Sequence, residues 1–434
     1  MKKSIILLFA ILMTVCGYSQ NKYSAISSDF EPNYVLVGTT IKTVKVPITI
    51  FNTGTATFKS ISYIISYDGV DEPQRNKIVD AIAPGESAQV EIPFKADTVA
   101  KKCNCTFTIT KVNGKANEEE DATSYGSIIT ITEKPVVVPV VEEFTGTWCG
   151  WCPIGFDGVE NAHATFGDKA ALIAIHCTDI MESSDFSQIA KRATGYPNAI
   201  IDRLENNFYP TTSEVKKKIN QQMQDKIAAA SIKASAEWAS STKRYINITT
   251  RTKFAYSDND ADFAIAYALT EDGMHGTGSS WAQNNNLSGN SSYANSNPFW
   301  YSSPSKVSDV KFNHVGVAAW GLEKGIDGSV KPVVVAGEEQ EYTYKANIST
   351  NNLIQDKSNL KVIVMLIDRS TGRIVNAAQT TIDAYNTTAV DEVISSTTQK
   401  AERFTLDGQK VSAPQRGINI IRMSEGTVRK VLVK

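Results

Sequence analysis

The stretch VVVPVVEEFTGTWCGWCPIGFDGVENAHATFG, residues 136–167, contains an apolar run, two closely spaced cysteines and a helix-like segment in direct succession. Its first nine residues are apolar enough for a buried strand, and the residues after Cys152 predict a helix that ends near Gly167. A second apolar run, AALIAIHC, follows at 170–177. Strand, turn, helix and strand in this order predict an α/β layer architecture.

The α/β pattern continues to residue 228. The stretch YPNAIID, 196–202, predicts a further strand, and TTSE, 211–214, has the spacing of a capping box at the start of a helix. Apolar residues then recur on one helical face at Val215, Ile219, Met223 and Ile227. We therefore predict an α/β domain over residues 136–228.

The segments on either side consist of strands and turns. Residues 21–133 carry turn sequences such as NTGT, 52–55, and VNGK, 112–115, between alternating apolar segments, which predicts an immunoglobulin-like β-sandwich. Strands return over 229–388 and predict a second β-sandwich, interrupted by a Ser- and Asn-rich loop at 279–305. The aromatic residues of this loop either stack on a ligand or fix the loop to its own sheet. The predicted fold class is thus multidomain, β and α/β.

The N-terminus has the pattern of an export signal. Two lysines precede an apolar run, and small residues at Gly17 and Ser19 predict a signal peptide over 1–19. Lipidation at Cys16 is the alternative. No other apolar stretch approaches the ~18 residues of a membrane span. The net charge of −2 gives no electrostatic footprint for nucleic acid. We expect an exported chain, in the periplasm, at the outer membrane surface or outside the cell.

The two cysteines of the opening stretch predict redox chemistry. Cys149 would lie at the start of a helix, where unpaired N–H groups stabilise a thiolate and lower its pKa below the ~8.5 of a free thiol. Cys152, one turn further on, could then attack a mixed disulfide and release the partner. Two alternatives remain open: a purely structural disulfide, and a metal site completed by His176 and Cys177.

A further pair, Cys103 and Cys105, lies on one face of a predicted strand. We expect at least Cys105 to point into the core of the first sandwich. A disulfide between these two cysteines is the alternative.

Trp148-Cys149-Gly150-Trp151-Cys152 resembles the W-C-G-x-C motif of the thioredoxin family. The resemblance implies that Glu143 is the buried acid behind the second cysteine. It also implies that Pro197, in Thr194-Gly195-Tyr196-Pro197, is the cis-proline that faces the disulfide and shapes a peptide groove. The resemblance covers residues 136–228 and implies no organic cofactor.

The wider chain resembles a family of exported proteins, the Bacteroidetes twenty-eight-kilodalton outer membrane proteins, in Glu142-Glu143-Phe144-Thr145-Gly146, in GYPNAIIDR (195–203) and in Leu269-Thr270-Glu271-Asp272-Gly273. Residues 401–434 resemble the C-terminal sorting region of type IX secretion, in Leu406-Asp407-Gly408, in Arg416-Gly417-Ile418-Asn419 and in the ending Lys430–Lys434. An ordinary terminal hairpin is the alternative for this last segment. The resemblance implies contact with the secretion machinery through the C-terminus.

Together these features predict thiol–disulfide exchange on exported protein substrates. Cys149 would attack, Cys152 would resolve, Glu143 would move protons and Pro197 would shape the groove. The alternative is a cell-surface binding or adhesion protein that uses the thioredoxin-like domain as a scaffold for surface ligands.

Overall fold

The computed structural model describes residues 21–38, 40, 42–204, 206–385, 402–405, 407–411, 413, 415–422 and 428–433. The predicted signal peptide, Cys16, Leu406 and Lys434 lie outside the described residues. The chain separates into two compact units, Met1–Asp383 and Ala384–Lys434. The boundaries predicted within the first unit, at 133, 136, 228 and 229, stay predictions.

The described part of the first unit is built mainly from strands. These strands are β1 Ala25–Ser27, β2 Asn33–Leu36, β3 Thr43–Asn52, β4 Phe58–Tyr67, β5 Val70–Asp71, β6 Arg75–Ile82, β7 Ser87–Lys95, β8 Lys102–Val112, β9 Lys115–Ala116, β10 Thr123–Ile131, β11 Val140–Thr145, β12 Ala171–His176, β13 Asn198–Ile201, β14 Ala230–Trp238, β15 Tyr245–Phe254, β16 Phe263–Glu271, β17 Gln283–Asn284, β18 Lys306–Val307, β19 Val315–Trp320, β20 Glu339–Asn347, β21 Leu360–Asp368 and β22 Ile374–Asp383. Its α-helices are α1 Pro153–Phe166, α2 Ser187–Ala190, α3 Thr212–Asp225 and α4 Pro298–Ser302. The second unit contains β23 Glu402–Phe404, β24 Lys410–Val411, β25 Gly417–Arg422 and β26 Val428–Val433.

Strands β1 to β10 form two sheets around one apolar core. The smaller sheet has the order β1-β3-β7, and the larger contains β2, β4–β6 and β8–β10. Side chains alternate along a strand, so β3 buries Val46, Ile48 and Ile50 against the larger sheet. Cys103 and Cys105 lie in this core, as predicted for Cys105, and both are free thiols. The alternative disulfide between them is therefore wrong.

The remaining strands of the first unit, apart from the short hairpin β17–β18, form one ten-stranded sheet. Its order is β13-β11-β12-β19-β16-β21-β22-β14-β15-β20. β11 and β12 are parallel, and β12 pairs in parallel with β19 at Ala174 and Val315. The strands of the α/β segment and those that follow it in sequence are thus hydrogen-bonded into the same sheet. The sequence did not predict this continuity.

Two helices cover one face of the α/β end of this sheet. α1 begins with proline at its first position, where the missing N–H costs no hydrogen bond. α3 begins at the predicted cap, because the Thr211 hydroxyl accepts a hydrogen bond from the Glu214 N–H at 3.3 Å. Both helices pack against apolar side chains of β11 and β12, with Val215 and Ile219 fully buried. This packing fixes the start of α1 at the carboxyl end of β11.

Candidate functional site

Cys149 and Cys152 form a disulfide in the loop that joins β11 to α1, with their Cα atoms 5.4 Å apart. Only 5% of Cys149 and 1% of Cys152 is exposed. Cys152 is the cap residue of α1. Both sulfurs therefore lie at the helix N-terminus, where the helix dipole favours negative charge. We call residues 146–152 the redox loop.

Backbone hydrogen bonds define the shape of the redox loop. The Cys149 N–H donates to the Gly146 carbonyl at 3.0 Å, and the Cys152 N–H donates to the Cys149 carbonyl at 3.2 Å. These two successive turns bring the cysteines together before Pro153 starts the helix. Each of these hydrogen bonds joins residues three positions apart, so the two turns are local in sequence.

Glu143 lies inside the protein, on the face of β11 that α1 covers. It is 2% exposed. Its Oε1 atom has no hydrogen-bond partner among the described residues. A methyl group at Gly155 would meet this oxygen at 2.3 Å, so glycine allows α1 to pass close to the carboxyl group. Burial raises the pKa of Glu143 to about 8, although a hydrogen bond with the Thr145 side chain offsets part of this effect.

A small internal cavity connects Glu143 with Cys152. Its volume is about 20 Å³, which is enough for one water molecule. It is lined by Glu143, Thr145, Cys152, Phe156, Val159, Glu160, Ala174, His176, Gln283, Phe312 and Asn313. Burial raises the pKa of Glu160, and a hydrogen bond from Asn313 offsets only part of this shift. A carboxyl group that titrates near neutral pH therefore shares an enclosed space with the second cysteine.

His176, which the sequence did not assign to proton chemistry, lines the same cavity and contacts Asp179 behind it. His176 Nδ1 lies 2.7 Å from Asp179 Oδ2, and both side chains are almost fully buried. Burial works to raise the pKa of Asp179, but His176 and the N–H groups of Thr147 and Met181 outweigh it, and the net shift is downward. Among the residues that the structure describes, no three His, Cys, Asp or Glu side chains are arranged to hold a metal ion.

Pro197 follows a cis peptide bond and is buried. Its link to the cysteines runs through two aromatic side chains: Tyr196 contacts Trp148 edge to face, with ring centroids 5.2 Å apart. The Trp148 indole N–H also donates to the Cys177 carbonyl at 2.8 Å. The structure thus brings the predicted cis-proline loop beside the redox loop. The roles assigned to Cys149, Cys152, Glu143 and Pro197 stay predictions.

Glu142, the neighbour of Glu143, forms a buried ion pair on the opposite face of β11. Its Oε1 lies 2.9 Å from Arg203 Nη2, and both side chains are at most 1% exposed. Arg203 also donates to the Leu322 carbonyl, and Asp202 accepts a hydrogen bond from the Val140 N–H at 2.8 Å. This pair joins β11 to the segment after β13. In the sequence, this ion pair is visible only as two charged residues, Glu142 and Arg203, that lie in or directly after apolar strands.

The aromatic loop 279–305 is fixed to the protein itself. Trp300 is fully buried, and its indole N–H donates to Asp157 of α1 at 3.0 Å. Tyr293 packs against Trp151 of the redox loop, with centroids 6.1 Å apart. Phe299 is 58% exposed. The same loop holds Gln283, Asn284 and Asn286 against the redox loop, a contact that the sequence did not predict.

No protein-family model and no curated protein sequence matches the chain. Solved structures similar to it include HBP35 of Porphyromonas gingivalis, at 17% identity over 69% of this chain and 99% of that chain, with a TM-score of 0.43. A domain of the outer membrane lipoprotein Omp28 from the same organism is 14% identical over 37% of this chain and 93% of that one, with a TM-score of 0.20. The CARDB domain of PF1109 from Pyrococcus furiosus is 13% identical over 27% of this chain and 100% of that chain, with a TM-score of 0.22. All three TM-scores are below 0.5.

Proposed function

We propose that the protein catalyses thiol–disulfide exchange on exported proteins through Cys149 and Cys152, in a thioredoxin-like segment over residues 136–228. One observation carries the proposal: the disulfide lies at the start of α1, and Cys152 and the buried Glu143 line the same small cavity. A purely structural disulfide needs no buried carboxyl group beside it, whereas a resolving cysteine needs a group that accepts its proton.

The reaction transfers two electrons from the reduced cysteine pair to a substrate disulfide. The Cys149 thiolate attacks one substrate sulfur, and the other substrate sulfur leaves as a thiolate and takes a proton. Cys152 then passes its proton to the Glu143 carboxylate, directly or through one water, and its sulfur attacks Cys149. The Cys149–Cys152 disulfide forms, and the second substrate thiolate leaves and is protonated. The reverse sequence oxidises a substrate dithiol.

The chemistry uses no organic cofactor, because the cysteine pair itself carries the electrons. An external dithiol must restore the reduced pair after each turnover. We place the protein outside the cytoplasm, with the signal peptide 1–19 removed. The described residues include no helix long and apolar enough to span a membrane. Residues 401–434 would contact the secretion machinery.

The second candidate is a cell-surface binding or adhesion protein with a structural disulfide. The low exposure of both cysteines favours this candidate, since a substrate disulfide must reach the Cys149 sulfur. In this case the thioredoxin-like segment would be a scaffold. The two candidates differ in whether the disulfide cycles.

Reduction of insulin by dithiothreitol, followed as turbidity, separates the two candidates. We expect the unmodified protein to accelerate the reaction, Cys149→Ser to abolish the acceleration and Cys103→Ser to leave it unchanged. Cys103 is a matched control because it is a free thiol in a different core. No acceleration by the unmodified protein would support the scaffold function and contradict our proposal.

Glu143→Gln tests the proton transfer separately. Glutamine keeps the shape of the side chain but cannot take the Cys152 proton. We expect this variant to fold and to release the mixed disulfide about 100-fold more slowly near neutral pH, which is the lower end of the range of general-base effects. An unchanged rate, together with an inactive Cys149→Ser variant, would show that Glu143 has no part in the reaction.

A further inference from the structure

Four residues of the aromatic loop cover one side of the redox loop. We call residues 283–286 the strap. The Asn284 N–H donates to the Thr147 carbonyl at 2.8 Å, and the Asn286 N–H donates to the Gly150 carbonyl at 2.8 Å. The Asn284 side-chain amide donates to the Trp148 carbonyl at 2.8 Å. The acceptors in the redox loop are all backbone carbonyls, so these contacts do not depend on the side chains of that loop.

Gln283 completes this set of contacts from inside the protein. It is 4% exposed, and its amide donates to the Cys149 carbonyl at 2.8 Å, although 134 residues separate the two in sequence. The same amide lies 3.4 Å from the Gly146 carbonyl. Every carbonyl from Thr147 to Gly150 therefore accepts a hydrogen bond from the strap. Hydrogen bonds to four consecutive carbonyls fix the position of the redox loop relative to the strap.

The strap is itself held in place. Its first two residues form β17, which pairs with β18. The Asn285 amide donates to the Trp300 carbonyl at 2.7 Å and to the Pro304 carbonyl at 3.0 Å. Donors in a fixed position lose little conformational entropy when they hold a neighbouring loop.

Gly150 fits against the strap because it has no side chain. A methyl group at this position would meet the side-chain atoms of Asn286 at 2.4 Å. The strap therefore requires glycine between the two cysteines. This contact provides a second observation, independent of the hydrogen bonds.

We propose that the strap is a positioning segment for the redox loop, whose amide donors stabilise the thiolate form of Cys149 through the peptide groups around it. The inference rests on the proposed function. The Trp148 carbonyl, bound by the Asn284 side chain, shares a peptide group with the Cys149 N–H, and the Cys149 carbonyl, bound by Gln283, shares one with the Gly150 N–H. A hydrogen bond to a carbonyl polarises its peptide group and strengthens the N–H at the other end. These N–H groups belong to Cys149 itself and to the next residue, just before the N-terminus of α1, where the helix dipole favours negative charge.

Gln283→Met and Asn284→Ala test this role, because each removes side-chain donors while keeping the rest of the strap. In both variants we expect the Cys149 thiolate of the reduced protein to form at higher pH, followed by its ultraviolet absorbance. The equilibrium with glutathione should shift about three- to tenfold towards the disulfide form, the ratio expected for one lost hydrogen bond. Asn295→Ala is the matched control, since Asn295 is an exposed residue of the same loop.

The outcomes separate the strap from the proposed function. Both measurements use the protein alone, so inactivity of the unmodified protein towards insulin would contradict the function and leave the strap measurable. Thiolate titration identical to that of the unmodified protein, in folded Asn284→Ala, would contradict the strap. A loss of stability without a change in thiolate titration would also contradict it, because it would show a purely structural contact. Gln283 is buried, so Asn284→Ala decides the question if Gln283→Met does not fold.

Discussion

Two adjacent carboxyl groups in β11 have opposite electrostatic surroundings. Because side chains alternate along a strand, Glu142 and Glu143 point to opposite faces of the sheet. Glu142 has Arg203 beside it, so its charge is compensated inside the protein. Glu143 has no cation among its described contacts, and burial keeps its proton bound up to a pH near 8. Glu142 thus forms a structural ion pair, whereas Glu143 is buried without a cation and has a pKa of about 8.

Glu143 should make the folded protein less stable as the pH rises. The unfolded chain releases this proton near the ordinary value of about 4.3, whereas the folded chain keeps it to about 8. Between these values the folded state binds more protons, so the free energy of unfolding falls with increasing pH. Glu143→Gln removes this penalty. We expect its urea midpoint, relative to the unmodified protein, to rise between pH 5 and pH 9, because each pH unit between the two pKa values costs the unmodified protein about 1.4 kcal/mol.

The control for this measurement is Glu120→Gln, which changes an exposed glutamate in the first β segment. Its urea midpoint should follow that of the unmodified protein at every pH. Parallel curves for Glu143→Gln as well would mean that Glu143 is ionised in the folded protein already at pH 5. The raised pKa of Glu143 would then be wrong, and with it the argument that this carboxyl group exchanges a proton with Cys152 near neutral pH.

The sequence predicted the residues of the site that a short motif carries. Cys149 and Cys152 are three residues apart, and the order of strand and helix around them is local information. The burial of Glu143 was implied by the resemblance of the motif to the thioredoxin family. Gln283 could not be predicted, since its contact with Cys149 spans 134 residues and its neighbours are ordinary polar loop residues. Contacts of this kind depend on the tertiary arrangement alone.

At the scale of elements, α1 is the part that joins the disulfide to the rest of the first unit. On one side it contacts α3 and the sheet, and on the other it contacts the aromatic loop through Asp157. The Asp157 carboxylate accepts hydrogen bonds from Trp300 at 3.0 Å and from Asn297 at 2.6 Å. Burial raises the pKa of Asp157, and these two donors oppose the shift. The loop that carries the strap is thus attached to the helix that carries Cys152.

Asp157→Ala should lower the free energy of unfolding by about 1–3 kcal/mol, because it leaves the buried Trp300 N–H and the Asn297 amide without an acceptor. Urea unfolding followed by tryptophan fluorescence measures this change. Asp168→Ala, an exposed aspartate just after α1, is the control and should change the midpoint little. Equal midpoints for the two variants would show that the loop does not depend on Asp157.

Helices were easier to predict than the sheet. Pro153, the first residue of α1, and Thr211, the cap of α3, encode the start of each helix, so both starts could be predicted locally. The ten-stranded sheet depends on the pairing of β12 with β19, which joins Ala174 to Val315 across a long stretch of chain. Both strands are apolar and short, and nothing in their sequences selects one partner. The sequence therefore predicted an α/β domain and a separate β-sandwich, whereas their strands are hydrogen-bonded into one continuous sheet.

At the scale of the whole molecule, the division into two units bears on export. The described strands of the second unit, β23 to β26, pair with each other in a four-stranded sheet. The sheets of the first unit are formed by β1 to β22. Each described strand of the first unit therefore pairs with strands of the same unit. A sorting region must be separable in this way, since it is recognised apart from the protein that it exports.

Deletion of residues 401–434 should leave the rest of the chain folded and active in the insulin assay but stranded in the periplasm of a host with type IX secretion. Its urea midpoint should stay close to that of the full chain, because no strand of the first unit loses a partner. Fractionation of periplasm, outer membrane and medium measures the location, and the matched control fuses 401–434 to an unrelated periplasmic protein. That fusion should reach the cell surface if the segment is sufficient for sorting. A truncated chain that still leaves the periplasm would show that these residues form an ordinary terminal sheet, and a retained fusion would show that recognition needs the first unit as well.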